Sequence, residues 1–534
     1  MKMRKLLSAL LVLMLMLPSA ASAVVSVPEG SWSSVKEEPV TITWFMAYDW
    51  FGTTYDTVNN IGAKTVQLDT GVTIEFSSGD TDKLNMLITT GSLPDVITMD
   101  TTATQRKLLE DAGALAPLEP LIAEYAPDMN IPQSMLDWYR NDDGQAYIIA
   151  SFFYADERMG PPFGGMYVTH NKNFARKDIL EQIDMTYDDL QTKDGMLKAL
   201  RAVKEKNITY NGKPVTPWGS LDMEMLATQF GWIPEKKDGT LNSLYRSPEY
   251  KEALLWARQL YAEGLMNDEV FTWNNQQRDE AVANGSVFAG VGWTNIHREA
   301  RRALYAADHN AQMLFAGRMD QDEEEKIHYQ GINCAGWTAT MINANAKNKD
   351  RIIKLFSYFT SDVATLNANY GTGTYDIVDG HLMRLPEVQA EFDADPTAAS
   401  AKYIFGFSYF MDWAIIQKYW PQTSYDNPVE QDIDEAEMER DVSLYDGKCF
   451  TGLDPDAGTD LAATKTIIDD LWKQLEPQMI MAATPEACEA LLEQALSETD
   501  ALGQELIDAY RNEKFAQNKA KLGLEFAHPA NQKK

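Results

Sequence analysis

Between residues 39 and 99 the hydrophobic period changes repeatedly, and that alternation restricts the fold more than any other feature of this 534-residue chain. Val40, Ile42 and Trp44 alternate with Thr41 and Thr43, the period of two that turns one face of a strand into a core, and Val72, Ile74 and Phe76 repeat it. Between them, residues 56–70 predict a helix. In residues 81–91, Leu84, Leu87 and Ile88 share one helical face, and Gly91 is placed to end it. Pro94 then opens the apolar stretch Asp95-Val96-Ile97-Thr98-Met99, a third strand. The order β-α-β-α-β predicts α/β architecture with mostly parallel sheets flanked by helices. Helical signals recur downstream. Ser247-Pro248-Glu249 combines an N-cap, a first-turn proline and an acidic first turn, with Tyr250, Ala253, Leu254, Ala257, Leu260 and Tyr261 on one face and Gly264 as a stop. Ile352, Leu355, Phe356 and Phe359 mark another helix, residues 461–516 are helix-rich, and no internal repeat is seen.

The N-terminus predicts export. Lys2, Arg4 and Lys5 precede an apolar run over residues 6–17 broken only by Ser8, and Pro18 leads to Ala21-Ser22-Ala23, a small-x-small cleavage pattern. The run is shorter than the roughly 20 residues that span a bilayer, so residues 1–23 read as a cleaved signal peptide and 24–38 as a flexible leader. A lipoprotein needs a cysteine at the end of that run. The first cysteine is Cys334, so the expectation is a periplasmic or extracellular product, soluble and without an N-terminal lipid anchor. Losing Lys2, Arg4 and Lys5 with the signal takes the formal charge from −32 to −35. Such a field repels nucleic acid phosphates and anionic lipids and favours neutral or cationic solutes. Cys334, Cys449 and Cys488 allow at most one internal disulfide; a Cys449–Cys488 bridge and three buried thiols both remain open.

Several local patterns resemble one family, the extracellular solute-binding proteins of ABC importers in their carbohydrate-associated branch (family 1). The segment Asp82-Lys83-Leu84-Asn85-Met86-Leu87-Ile88-Thr89-Thr90-Gly91-Ser92-Leu93-Pro94-Asp95-Val96-Ile97 is similar to the family's helix, glycine turn and strand. Gly113-Ala114-Leu115-Ala116-Pro117-Leu118, with Tyr125-Ala126-Pro127, resembles its Gly-x-Leu-x-Pro-Leu stretch. Asp143-Gly144-Gln145-Ala146-Tyr147 and Arg176-Lys177-Asp178-Ile179-Leu180 resemble two further segments, with Gln145 in place of a lysine and Ile179 in place of an aromatic. Leu260-Tyr261-Ala262-Glu263-Gly264-Leu265-Met266, Asn284-Gly285-Ser286-Val287-Phe288-Ala289-Gly290, Tyr370-Gly371-Thr372-Gly373-Thr374-Tyr375 and the C-terminal Leu502-Gly503 follow in the family's order. The resemblance covers most of residues 40–515. It implies two hinged α/β lobes, each discontinuous in sequence: residues 39–155 with 338–395, and 156–337 with 396–516. It also implies a monomer that closes on a solute, delivers it to ABC permease subunits in the membrane, and needs no cofactor. Residues 517–534 read as a basic, loosely ordered tail.

A sugar binder needs aromatic faces for the C–H side of each ring and carboxylates or amides for the hydroxyls. Candidates are the aromatics and acids where strands end or loops begin, the positions at which open α/β sheets place ligands. They are Tyr48, Asp49 and Trp50 after the first strand, Asp100 after the third, Trp293 in the Gly-rich Gly290-Val291-Gly292-Trp293 run, Trp337 after Gly336, and Tyr375, Asp412 and Trp413. Each aromatic has core packing as its second reading, and Asp49, Asp100 and Asp412 read equally as loop residues or helix caps.

Other chemistries find less support. The six histidines form no His-x-x-x-His pair and there is no Cys-x-x-Cys, so zinc is not expected. The stretch 454–460 has the Asp-x-Asp-x-Gly-x-Asp spacing of a calcium loop, but Lys465 stands where a bidentate Glu belongs, which favours a turn and a capped helix. The acidic runs 320–325 and 430–441 read as solvated faces. No Gly-x-Ser-x-Gly elbow, P-loop or dinucleotide fingerprint is present. The rival functions are a secreted glycoside hydrolase working through a carboxylate pair, and a binder of peptides or other non-sugar solutes; an adhesin would need repeats, sorting signals or a spanning helix.

Overall fold

A computed structural model describes residues 29–33, 36, 38–141, 143–151, 153, 172–292, 297–319, 328–330, 336–419, 428–429, 431–432, 443–456 and 458–532. Nine strands build the two main sheets: β1 (Val40–Met46), β2 (Val72–Ser78), β3 (Val96–Asp100), β4 (Ile148–Ala150), β5 (Lys172–Arg176), β6 (Thr216–Trp218), β7 (Val287–Gly292), β8 (Met313–Gly317) and β9 (Thr338–Ile342). The first sheet has the order β2-β1-β3-β9-β4 and the second β8-β5-β7-β6. Strands β1, β2 and β3 are parallel, as the early pattern predicts. The sheets as wholes are mixed. Strand β9 returns from the second unit and enters the first sheet antiparallel to β3, with Thr338 opposite Asp100. In the second sheet β5 is antiparallel to both its neighbours, and β6 alone runs parallel to β7.

The first sheet is buried on both faces, which explains why β1 loses its alternation at Trp44-Phe45-Met46. Ile42, Trp44 and Met46 face a core shared with helices Ile61–Thr70 and Lys349–Phe359; Phe45, Ile97 and Met341 face another with Leu84 and Leu109. The helices stop where the sequence says. Asp80 caps helix Thr81–Thr90 and Gly91 ends it at φ 66°, a left-handed turn that glycine adopts without strain. Ser247 caps helix Pro248–Ala262 by accepting from the Tyr250 N–H.

The packing differs from the expected boundaries in three places. Residues 396–419 were expected with the second unit, yet Phe405, Phe407 and Phe410 lie in the first unit's core, Phe407 with its ring 5.0 Å from that of Trp44. The C-terminal tail is not loose: helix Gln504–Lys521 runs into its first turn, and the chain beyond folds back onto buried Glu235. Asp432, in the acidic run expected to be solvated, accepts both Phe315 N–H and the buried Arg301 guanidinium. The second unit's core joins Trp218, Tyr250 and Leu260 to Ile468, Trp472 and Ile507 of the C-terminal helices.

Cys449 and Cys488 are free buried thiols in separate cores, so the disulfide alternative falls; burial pushes each up to about 11. Cys334, Trp293, the signal and residues 320–325 lie outside the described residues. At the calcium-like spacing, Lys465 Nζ lies 3.5 Å from Asp454 and 2.6 Å from Asp469, and Thr459 caps the following helix. Among the described residues, no three or more His, Cys, Asp or Glu side chains are grouped to hold a metal ion.

One carboxylate sets a pH dependence. Burial, with the nearby Asp222 charge, raises Glu476 to about 7 in spite of the Tyr250 hydroxyl that donates to it at 2.7 Å. Between its ordinary value and about 7, the unfolded chain releases this proton while the folded chain keeps it, so stability falls as pH rises through that window. Above it the cost is constant, on the order of 3 kcal/mol. Glu476→Gln keeps an acceptor for Tyr250 and has no charge. Its melting temperature is expected to exceed wild type by several degrees at pH 8 and to converge with it near pH 4.5; parallel melting curves at all pH values would refute this role for Glu476.

Candidate functional site

Four aromatic rings meet at the edge where β1 and β3 end and β9 begins. Tyr48 and Trp50 follow β1, Trp337 precedes β9, and Tyr409 arrives from the segment after helix Pro396–Tyr403. The Trp50 and Trp337 rings are stacked, 6.2 Å apart and 28° from parallel; Tyr48 lies 4.8 Å from Trp50 and 5.5 Å from Trp337, and Tyr409 lies 6.2 Å from Trp337. Exposure divides the roles. Tyr48 is 7% exposed and forms the base, whereas Trp50 is 60% and Trp337 37% exposed, unusual for tryptophan. Indole surface left in water at the carboxyl end of parallel strands is where open α/β folds receive ligands.

The backbone fixes Trp337. Its carbonyl accepts the Thr101 N–H at 2.9 Å, and Gly336 before it adopts φ 75° with the place of a Cβ only 2.0 Å from the Ser151 carbonyl oxygen. Only glycine fits there. A carboxylate sits at the platform's rim: the Tyr48 hydroxyl donates to Asp100 Oδ1 at 3.0 Å. Burial and the Asp100 charge hold the Tyr48 phenol far above its ordinary value, so it remains a donor. Asp100 is exposed, and its Oδ2 accepts no hydrogen bond among the described residues. Asp49 is likewise exposed beside Trp50. Stacking surface beside a free carboxylate oxygen suits a ring with one apolar face and hydroxyls at its edge.

The other expected site residues are placed differently. Tyr375 is 2% exposed, its hydroxyl bonded to Asn367 Oδ1 at 2.8 Å, and belongs to a small core with Leu366, Leu382 and Ile415. Asp412 is buried and caps helix Trp413–Lys418 by accepting from Ala414 N–H, which is the cap reading of that residue. Trp413 packs half-buried against the same small core as Tyr375. Tyr409 was not among the expected residues; its signal was the alternation of Phe405, Phe407 and Tyr409, with burial pushing Tyr409 up to about 12.

The model of the bacterial extracellular solute-binding proteins matches residues 49–365, more than half the chain. The fructooligosaccharide ABC transporter substrate-binding protein FusA of Streptococcus pneumoniae is 26% identical over 234 residues, 39% of this chain and 42% of that relative, so the match spans less than half of the relative's length. The structure of FusA in complex with kestose superposes with a TM-score of 0.63 at 16% identity, covering 90% of this chain and 100% of the other. An HMO-binding ABC-transporter-associated solute-binding protein from Bifidobacterium longum infantis gives 0.59 at 15% identity, covering 90% and 99%. These likenesses identify the two units as the two lobes of a shared fold. Among the described residues no helix is long and apolar enough to cross a membrane. The chain belongs to the bacterial extracellular solute-binding proteins.

Proposed function

We propose that this chain, acting as an exported monomer, captures a neutral oligosaccharide between its lobes and passes it unmodified to an ABC permease. The observation that carries the reading is the Tyr48–Trp50–Trp337–Tyr409 platform with Asp100 at its rim. Two indoles exposed side by side provide for sugar rings what a hydrophobic core provides for side chains, and the formal charge of −32 disfavours acidic glycans. The names of the relatives, FusA for fructooligosaccharides and a second protein for HMO, support the same class of solute. Ligand bridging the lobes stabilises the closed state by its greater affinity for that state. Release to the permease then requires only that the lobes reopen.

Calorimetric titration and thermal shift of the mature chain against fructans, maltodextrins, human-milk-type glycans, peptides and charged osmolytes test the proposal. One oligosaccharide class is expected to raise the melting temperature with occupancy, and chromatography after long incubation is expected to return it intact. Stabilisation by peptides alone would move the solute class, and cleavage of a glycoside would replace binding by hydrolysis.

A further inference from the structure

Helix Gln504–Lys521 packs in the second lobe but ends on the first. Asn518 fixes it to the Cys449 and Thr451 carbonyls, both at 3.0 Å, and Lys519 fixes it to buried Glu235 at 3.0 Å. Two residues on, Lys521 reaches across: its contacts among the described residues are both with Trp138, whose carbonyl accepts from its ammonium and whose ring centroid lies 5.3 Å away. Trp138 ends helix Gln133–Trp138, and Met135 and Leu136 of that helix lie in the first lobe's core. The backbone that carries Lys521 is thus held in its own lobe three and two residues earlier. Only the side chain is left to be ordered when the ammonium meets the other lobe.

The contact stands on the same sheet edge as the aromatic platform. Tyr139, next to Trp138, is hydrogen-bonded to the Thr101 side chain. Thr101 directly follows Asp100, and its N–H holds the Trp337 carbonyl at 2.9 Å. Charges of opposite sign flank the contact. The Asp137 charge acts on Lys521, and the Asp456 charge of the second lobe acts on Lys107 of the first, so each lobe presents an acid to a base of the other. Arg140 also faces Lys521, but Glu119 at 2.6 and 2.8 Å and Asp137 at 2.7 Å offset its charge.

We propose that Lys521 on Trp138 is a latch of the empty protein: it holds the two lobes together at the platform's edge without any solute, and it has to let go before they part. A hydrogen bond from an ammonium and a cation–π contact on the same group together shift an equilibrium between joined and parted lobes by about tenfold. Because neither partner belongs to a solute, this bias is present before one is met. The latch thereby sets how often the empty cleft stands open.

Small-angle X-ray scattering of the mature chain without solute tests the latch, on wild type, Lys521→Ala, Lys521→Arg and Trp138→Leu. Lys521→Ala removes the ammonium from one lobe and Trp138→Leu removes the ring from the other. Both are expected to show a larger radius of gyration than wild type, with unchanged helix content by circular dichroism. Arginine also donates to a carbonyl and stacks on an indole, so Lys521→Arg is expected to stay as compact as wild type. Lys521→Ala and Trp138→Leu that both scatter like wild type overturn the latch. Expansion of Lys521→Ala with loss of helix content, beside a compact Trp138→Leu, overturns it as well, because the C-terminal helix would then have unravelled without any latch being broken. No arm of the experiment contains a solute, so the carbohydrate reading stands or falls separately.

Discussion

Trp337→Ala is expected to weaken oligosaccharide binding by about 2–4 kcal/mol, from some thirtyfold to several hundredfold, while changing the melting temperature of the free protein little. The size follows from how the ring is held. Trp337 has three aromatic neighbours within 6.2 Å, its carbonyl is fixed by Thr101 N–H, and Gly336 sets its direction. A ligand that stacks on it meets a surface ordered beforehand, and little entropy is lost on binding. Trp50 is more exposed, so Trp50→Ala is expected to cost less, as rim contacts do. Trp337→Phe retains an aromatic face and is expected to recover part of the loss. Titration of the three variants beside their melting curves checks this. Binding of Trp337→Ala at wild-type strength would show that the stacked indoles are not the ligand platform.

What the sequence made legible is what local period and caps encode. Strands β1 to β3 and the helices between them follow from alternation at Val40–Trp44, from the face of Leu84, Leu87 and Ile88, and from glycine at the left-handed stop. That Tyr48, Trp50, Asp100 and Trp337 come together on one edge was legible because they abut strand ends of the same sheet, the edge at which open α/β sheets place ligands. Tyr375 and Asp412 also lie at element ends, but nothing local distinguishes a ring turned outward from one covered by helix 362–370, or a carboxylate for solute from one for its own helix N-terminus. Tyr409 was missed for the converse reason: it stands in an irregular segment whose neighbours are buried by contacts more than 300 residues away in sequence, such as Phe407 with Trp44. The antiparallel entry of β9 is of the same kind, because the direction of a returning strand depends on where the intervening lobe releases the chain.

The C-terminal segment carries a larger expected effect on stability. Glu235 is fully buried, and its Oε1 accepts from Lys519 Nζ at 3.0 Å and Ala527 N–H at 3.2 Å, its Oε2 from His528 N–H at 2.9 Å. Lys519 completes its shell with the Gly239 carbonyl at 2.7 Å and the Glu525 carbonyl at 3.2 Å. Lys519 and two backbone N–H groups of the returning chain thus converge on one carboxylate, which explains why residues with the composition of a tail are ordered. Removing it by Glu235→Ala leaves a buried ammonium without its countercharge and two backbone N–H groups without acceptors, at an expected cost of about 3–5 kcal/mol read from the denaturant midpoint. Glu235→Gln keeps an oxygen for one of those donors and should fall between the two. Lys519→Met strands the carboxylate instead, so the double variant Glu235→Gln/Lys519→Met is expected to be more stable than the two single losses added together. The same helix ties the two units together, because Lys521 at its end donates to the Trp138 carbonyl. Additive single and double variants would mean that Glu235 and Lys519 act independently, and that the strap is held by something other than their pair.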